Sequence, residues 1–129
     1  MTHKYVMDTS AIIALLLQER GYEFAQDNLG NSLVSLINVS EIVQVLIRKG
    51  WEYKEALEMC NSLIKNIAIP DLETMYNTCK IKDEYSELNI SLGDCYCLGL
   101  GMQKGLPVIT TDQEWKKIRK KTVEVICLR

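Results

Sequence analysis

The sequence predicts a three-layer α/β/α fold around a central, mostly parallel five-stranded sheet. Three features lead there: five short apolar runs, helical segments between them, and no repeat, low-complexity tract or polar linker. Short apolar strands that alternate with helices form parallel sheets covered on both faces. The 129 residues suit one domain spanning 1–129, and 47% hydrophobic with 25% charged residues is a globular composition.

Residues 4–7 form the first run, which stops at Asp8. Residues 11–17 read as a helix buried over most of its surface. The run 32–37 ends at Asn38, after which Val39, Ile42, Val43, Leu46 and Ile47 recur at helical spacing, with Arg48, Lys49 and Gly50 as a stop. A second amphipathic helix carries Tyr53, Ala56, Leu57, Cys60, Leu63 and Ile64. Residues 67–70 give the third strand, and 72–85 a more polar helix. Residues 91–104 read as a helix closed by Gly105, beyond which Pro107 blocks continuation. The run 107–110 is the fourth strand, 112–120 a short helix and 123–128 the fifth strand.

Composition removes several chemistries. A single histidine excludes a Cys₂His₂ finger, an H-E-x-x-H zinc site and any two-histidine acid–base scheme. The five cysteines are an odd number set in apolar segments, and Cys95-x-Cys97 lacks a second pair at zinc spacing. No secretory leader is read in residues 1–8, so a reducing cytoplasm is expected. No stretch approaches the ~18 apolar residues of a membrane span. The formal net charge of −2 announces no nucleic-acid partner. Polar chemistry falls to carboxylates.

Four acids stand at strand-to-helix junctions or helix starts. Asp8 closes the first strand, Glu41 opens the helix after the second, Asp94 opens the helix 91–104, and Asp112 closes the fourth strand. A parallel sheet brings its strand ends to one edge, where the ligand crevice lies. The topology places three of the four there directly; Asp94 follows the loop 87–90, whose path the sequence leaves open. Each acid taken singly is explained as a helix cap: Asn38-x-x-Glu41, Ser91-x-x-Asp94 and Thr111-x-x-Glu114 all resemble capping boxes. Capping does not explain why acids recur at one edge. Carboxylates within a few ångströms repel one another, and a hard divalent cation such as Mg²⁺ or Mn²⁺ removes that penalty.

Four segments in series, Val6-Met7-Asp8-Thr9-Ser10-Ala11, Asn38-Val39-Ser40-Glu41-Ile42, Ser91-Leu92-Gly93-Asp94-Cys95 and Leu106-Pro107-Val108-Ile109-Thr110-Thr111-Asp112, resemble the PIN-domain ribonucleases, in particular VapC-type toxins. The resemblance covers essentially the whole chain. It implies that Asp8, Glu41, Asp94 and Asp112 bind Mg²⁺ or Mn²⁺ for RNA phosphodiester hydrolysis, with Asp8 and Asp94 the firmest ligands. Water would attack phosphorus in line, leaving a 5′-phosphate and a 3′-hydroxyl. By the same resemblance Thr9 and Thr111 match hydroxyls that orient a carboxylate or a phosphate. An antitoxin peptide near the helices of residues 39–65, where Trp51 and Tyr53 sit, and a homodimer are further implications. One departure is Gly99 and Gly101, where family members carry alanine-rich helix; each glycine costs about 1 kcal/mol in helix propensity, which puts the regularity of that helix in doubt.

Residues 115–121 hold five positive charges in seven residues, and Lys116 and Arg119 are candidate contacts for the RNA backbone. A solvated helix face is the plainer reading of that segment. Other carboxylate enzymes fit less well: a phosphoacceptor receiver needs an acid pair at the first strand, and a haloacid-dehalogenase-type phosphatase needs Asp-x-Asp, where position 10 is Ser. The rival reading is a catalytically inactive PIN-like module that binds protein or RNA. Setting the four acids aside leaves 13 of the 17 acidic residues against 15 basic ones. The balance of the remaining surface then turns positive.

Overall fold

Successive strand residues point to opposite faces of a sheet, and that sorting divides the core in two. The computed structural model describes residues 2–129. Its strands are β1 (Tyr5–Met7), β2 (Ser32–Ser35), β3 (Ile67–Ala68), β4 (Val108–Thr110) and β5 (Val125–Cys127). Between them run α1 (Thr9–Leu17), α2 (Tyr22–Asn28), α3 (Leu36–Arg48), α4 (Tyr53–Leu63), α5 (Leu72–Glu84) and α6 (Leu92–Lys104), with 3₁₀ turns at Leu29–Asn31 and Gln113–Lys117. The strand order is β3-β2-β1-β4-β5 and every pairing is parallel. The sheet is wholly parallel.

In register, Val6 pairs with Val108 and Met7 with Ile109. Met7 and Ile109 enter the core beneath α1 and α3, with Ile12, Val34, Ile42 and Leu46. Val6 and Val108 enter the opposite core, with Ile81, Leu98, Leu100 and Trp115. The chain winds outward from β1 to β3 and returns to the other side of β1 with β4. The order therefore reverses between β1 and β4, and a parallel sheet opens a crevice at the carboxyl ends of such a pair. Asp8 and Asp112 leave the sheet at that point.

The second apolar run divides differently from the sequence expectation. The strand stops at Ser35, not at residue 37, because the Ser35 hydroxyl accepts the Ile37 amide and starts α3 there. Leu36 and Ile37 thus supply the first helical turn. Glu41 does not open its helix; it lies in the second turn, and Asn38 is buried within α3 instead of capping it. The expected helix 112–120 is a five-residue 3₁₀ turn, capped by Asp112 accepting from the Glu114 amide and not by Thr111. Helix α2, which buries only Ala25, has too short an apolar face to mark itself by periodicity.

Helix α6 runs unbroken across its glycines, which answers the doubt that Gly99 and Gly101 raise about its regularity. A Cβ on Gly99 would stand 2.6 Å from the Thr78 hydroxyl oxygen and 2.9 Å from the Thr78 nitrogen, so glycine permits α5 and α6 to approach backbone to side chain. A Cβ on Gly101 would stand 2.6 Å from Val108 Cγ1. Close packing onto α5 and β4 offsets the lost propensity.

Gly99→Ala is accordingly expected to destabilise the chain by about 1–3 kcal/mol, the usual cost of overpacking. Gly30→Ala meets nothing within 4 Å and is expected to change stability far less. Urea unfolding of both variants measures the difference.

Candidate functional site

The β1–β4 edge builds its site around one carboxylate. Asp8 is the first residue past β1 and caps α1, and only 2% of its surface is exposed. Its Oδ2 accepts three hydrogen bonds, from the Ser10 hydroxyl at 2.7 Å, the Thr110 hydroxyl at 3.0 Å and the Ser10 amide at 3.4 Å. Its Oδ1 is buried and has no partner. Burial first, and the neighbouring Asp94 second, raise the Asp8 pKa from 3.8 to about 7 against the effect of those bonds. A desolvated carboxylate with one bare oxygen is unstable as an isolated anion.

The other acids surround it. Asp94 lies in the first turn of α6, where Oδ2 accepts the Ser91 amide at 2.8 Å and Ser91 Oγ accepts the Asp94 amide at 3.1 Å. Burial, with the Glu41 and Asp112 charges, raises its pKa. Glu41 reaches from α3, where its Oε1 accepts from the Thr9 hydroxyl and from Asn38 Nδ2, both at 2.9 Å. Asp112 leaves β4, with its own amide on the Thr110 hydroxyl and its Oδ1 on the Glu114 amide. All four acids line one cleft of about 410 Å³, together with Thr9, Ser10, Thr111, Gln44 and Arg48. The loop path that the sequence left open brings Asp94 to the same cleft.

The acids are nonetheless not drawn into a tight cage. Among the described residues no three His, Cys, Asp or Glu side chains form a group that could hold a metal ion. Local bonds hold two of the acids: Asp94 is turned into its capping box and Asp112 into the 3₁₀ turn. Each keeps a second oxygen outside those bonds, and Asp8 Oδ1 has none at all. The donor set is all oxygen and acidic, which suits Mg²⁺ or Mn²⁺ retained through a few carboxylates plus water.

Several site residues escape sequence reasoning. The threonine hydroxyl on Asp8 is that of Thr110, beside the Ser10 hydroxyl; Thr111 contributes its amide, which donates to Ser10 Oγ at 3.0 Å. Ser10, two residues after Asp8 in the chain, reads as a cap, and its bonding across to β4 follows only from the β1–β4 pairing. Gly93 makes room for Glu41 where it stands, since a Cβ there would overlap the Glu41 carboxylate and oblige it to move. Arg48 supplies the only basic side chain among the cleft-lining residues, although its position at the end of α3 reads as a plain stop signal. Lys116 and Arg119 are not among those lining residues, and the Arg119 guanidinium pairs with Glu84 and lies 5.8 Å from the Tyr85 ring centre.

The chain is thus an all-parallel α/β/α sandwich with an acidic cleft at its topological switch point. Residues 5–121 match the PIN domain family model, and the chain belongs to that family. Its structure resembles a chain of the DNA-bound VapBC from Salmonella typhimurium, with TM-score 0.77, 17% identity and coverage of 99% of this chain and 100% of that one. A toxin–antitoxin complex from Klebsiella pneumoniae gives TM-score 0.74 at 18% identity, covering 98% of both chains. Mycobacterium tuberculosis VapC20, a sarcin–ricin loop cleaving toxin, gives 0.69 at 14% identity, with 88% of this chain and 93% of that one covered. No curated protein matches the chain. The fold is VapC-like.

Asp8 makes stability depend on pH. Its folded pKa lies above the unfolded value of 3.8, so the folded state holds a proton that the unfolded state has released between 3.8 and about 7. Stability contributed by that proton is lost as pH rises through this window, up to about 4 kcal/mol above it. In EDTA at pH 8, Asp8→Asn is expected to unfold at higher denaturant than the parent chain. The gap should close as pH falls toward ~4; parallel pH profiles for the two proteins would contradict the assignment.

Proposed function

We propose that the chain is a Mg²⁺- or Mn²⁺-dependent endoribonuclease that hydrolyses RNA phosphodiester bonds, acting as the toxin of a toxin–antitoxin pair. One observation carries the reading: the buried, unpartnered Asp8 Oδ1 in a cleft ringed by Glu41, Asp94 and Asp112. Membership of the PIN family and a fold like that of VapC20 support nuclease chemistry.

Asp8 and Asp94 would hold the cation, with Glu41 and Asp112 completing the set directly or through water. When bound, the cation supplies positive charge for the phosphate oxygens and lowers the pKa of water. Ser10 and Thr110 hold Asp8 Oδ2, which leaves Oδ1 without a hydrogen-bond partner. Glu41, held by Thr9 and Asn38, stands across the cleft as an acceptor able to orient an attacking water or take its proton. Arg48 sits on the cleft wall, where a guanidinium meets a phosphate of the bound strand.

For partners we infer an antitoxin, because the structural neighbours include VapBC and toxin–antitoxin complexes. Exposed Ile47, Tyr53 and Leu57 on α3 and α4 supply apolar surface for it. A homodimer belongs to the same proposal. Five unpaired cysteines suit a cytoplasmic setting; among the described residues no helix is long and apolar enough to cross a membrane.

A second reading has its own support. Asp8, Asp94 and Asp112 all serve as helix or turn caps, which is what an inactive PIN-like binding module would retain.

Cleavage of single-stranded RNA with Mn²⁺ present separates the two. The ribonuclease reading expects cleavage that stops with EDTA and falls to background in Asp8→Asn and Asp94→Asn, both remaining folded. Undiminished cleavage by both variants, or no cleavage with any divalent cation, contradicts it. Arg48→Gln is expected to weaken RNA binding and to lower the slope of log K against log salt by about 0.7, one phosphate contact on a single strand. Neutralising Arg119, already paired with Glu84, is expected to change that slope less.

A further inference from the structure

We infer that Asn38 is a positioning residue that turns the Glu41 carboxylate across to α6, into a slot that exists because residue 93 is glycine. The inference rests on the ribonuclease reading of the cleft and deepens it.

Asn38 is fully buried, and its side chain joins three helices at one point. Nδ2 lies 2.9 Å from Glu41 Oε1, 3.1 Å from Thr9 Oγ1 and 3.3 Å from the Gly93 carbonyl oxygen. A carboxylate and a carbonyl accept only, so the amide nitrogen must face them; the orientation of the group follows from its partners. Thr9 Oγ1 donates to Glu41 Oε1 at 2.9 Å, the nearer of its two acceptors, the main-chain carbonyl oxygen of Asn38 lying at 3.2 Å. Both hydrogen-bond donors therefore converge on the same oxygen of Glu41 and leave Oε2 outside these bonds.

Two features separate this from an ordinary structural asparagine. An asparagine retained for packing usually ties main-chain groups, whereas the shortest contact of Asn38 is to a side chain of the cleft. The space into which it turns that side chain is also specified from the other side. A Cβ on residue 93 would overlap the Glu41 carboxyl group, one position before Asp94 on α6. Asn38 and Gly93 together set how near Glu41 comes to Asp94. Neither is marked by chemistry in the sequence, where asparagine three residues before an acid reads as a cap.

Removal of a group that orients a metal-binding side chain typically weakens metal affinity 10–100-fold. The test is calorimetric titration of the full-length chain with Mn²⁺ alone at pH 8, with thermal unfolding in EDTA recorded for each variant. Asn38→Asp keeps the shape but turns an acceptor toward Glu41. Simple addition of negative charge predicts tighter Mn²⁺ binding by this variant; loss of positioning predicts binding weaker by at least about tenfold. Gly93→Ala leaves Asn38 intact and substitutes a better helix former, so it is read even where Asn38→Asp does not fold. It too is expected to bind Mn²⁺ at least about tenfold more weakly. Parental or tighter binding by either folded variant overturns the positioning role alone. A parental chain that binds no Mn²⁺ overturns the reading of the cleft, and the inference with it.

Discussion

One buried carboxylate organises the functional end of this protein. Asp8 is fixed at the end of a central strand, with every hydrogen bond it receives directed at one of its two oxygens. The bare oxygen leaves the group poorly compensated as an anion, and burial with a neighbouring acid holds its pKa near 7. A sheet centre of Val6, Met7, Val108 and Ile109, none of it exposed, offers no counter-charge. A group so placed is expected to weaken the fold as pH rises toward neutral.

The surrounding acids are held by a different economy. Asp94 and Asp112 each serve a helix or turn start, and Glu41 lies on a helix interior braced by Asn38 and Thr9. Every one of them has a structural use that survives without metal. This keeps four carboxylates around one cleft without collapse or gross repulsion, and it also keeps them from closing into a cage. In the proposed function these carboxylates would hold a divalent cation, with water completing its coordination.

Much of this was legible in the sequence, for a definite reason. In a parallel sheet the residue after each strand lies at the same edge, so Asp8 and Asp112 could be placed from the position of apolar runs alone. The helix starting at Leu92 announced itself through Ser91 and Asp94. What stayed hidden depends on pairs distant in the chain. Thr110 outranks Thr111 as the partner of Asp8 only because Met7 is in register with Ile109. Leu36 and Ile37 have strand-like side chains, and only the Ser35 cap commits them to α3. The glycines of α6 look like weak points until α5, β4 and Glu41 are seen pressing against them.

If Asp8 holds a divalent cation as proposed, it must give up its proton when the ion binds. The direct measurement is Mn²⁺ titration at pH 6 in two buffers of different ionisation enthalpy, which counts protons released per ion bound. With the Asp8 pKa at about 7, most of one proton should leave for each Mn²⁺ bound at pH 6, and almost none at pH 8.5. Binding with no proton release at pH 6 would contradict the account.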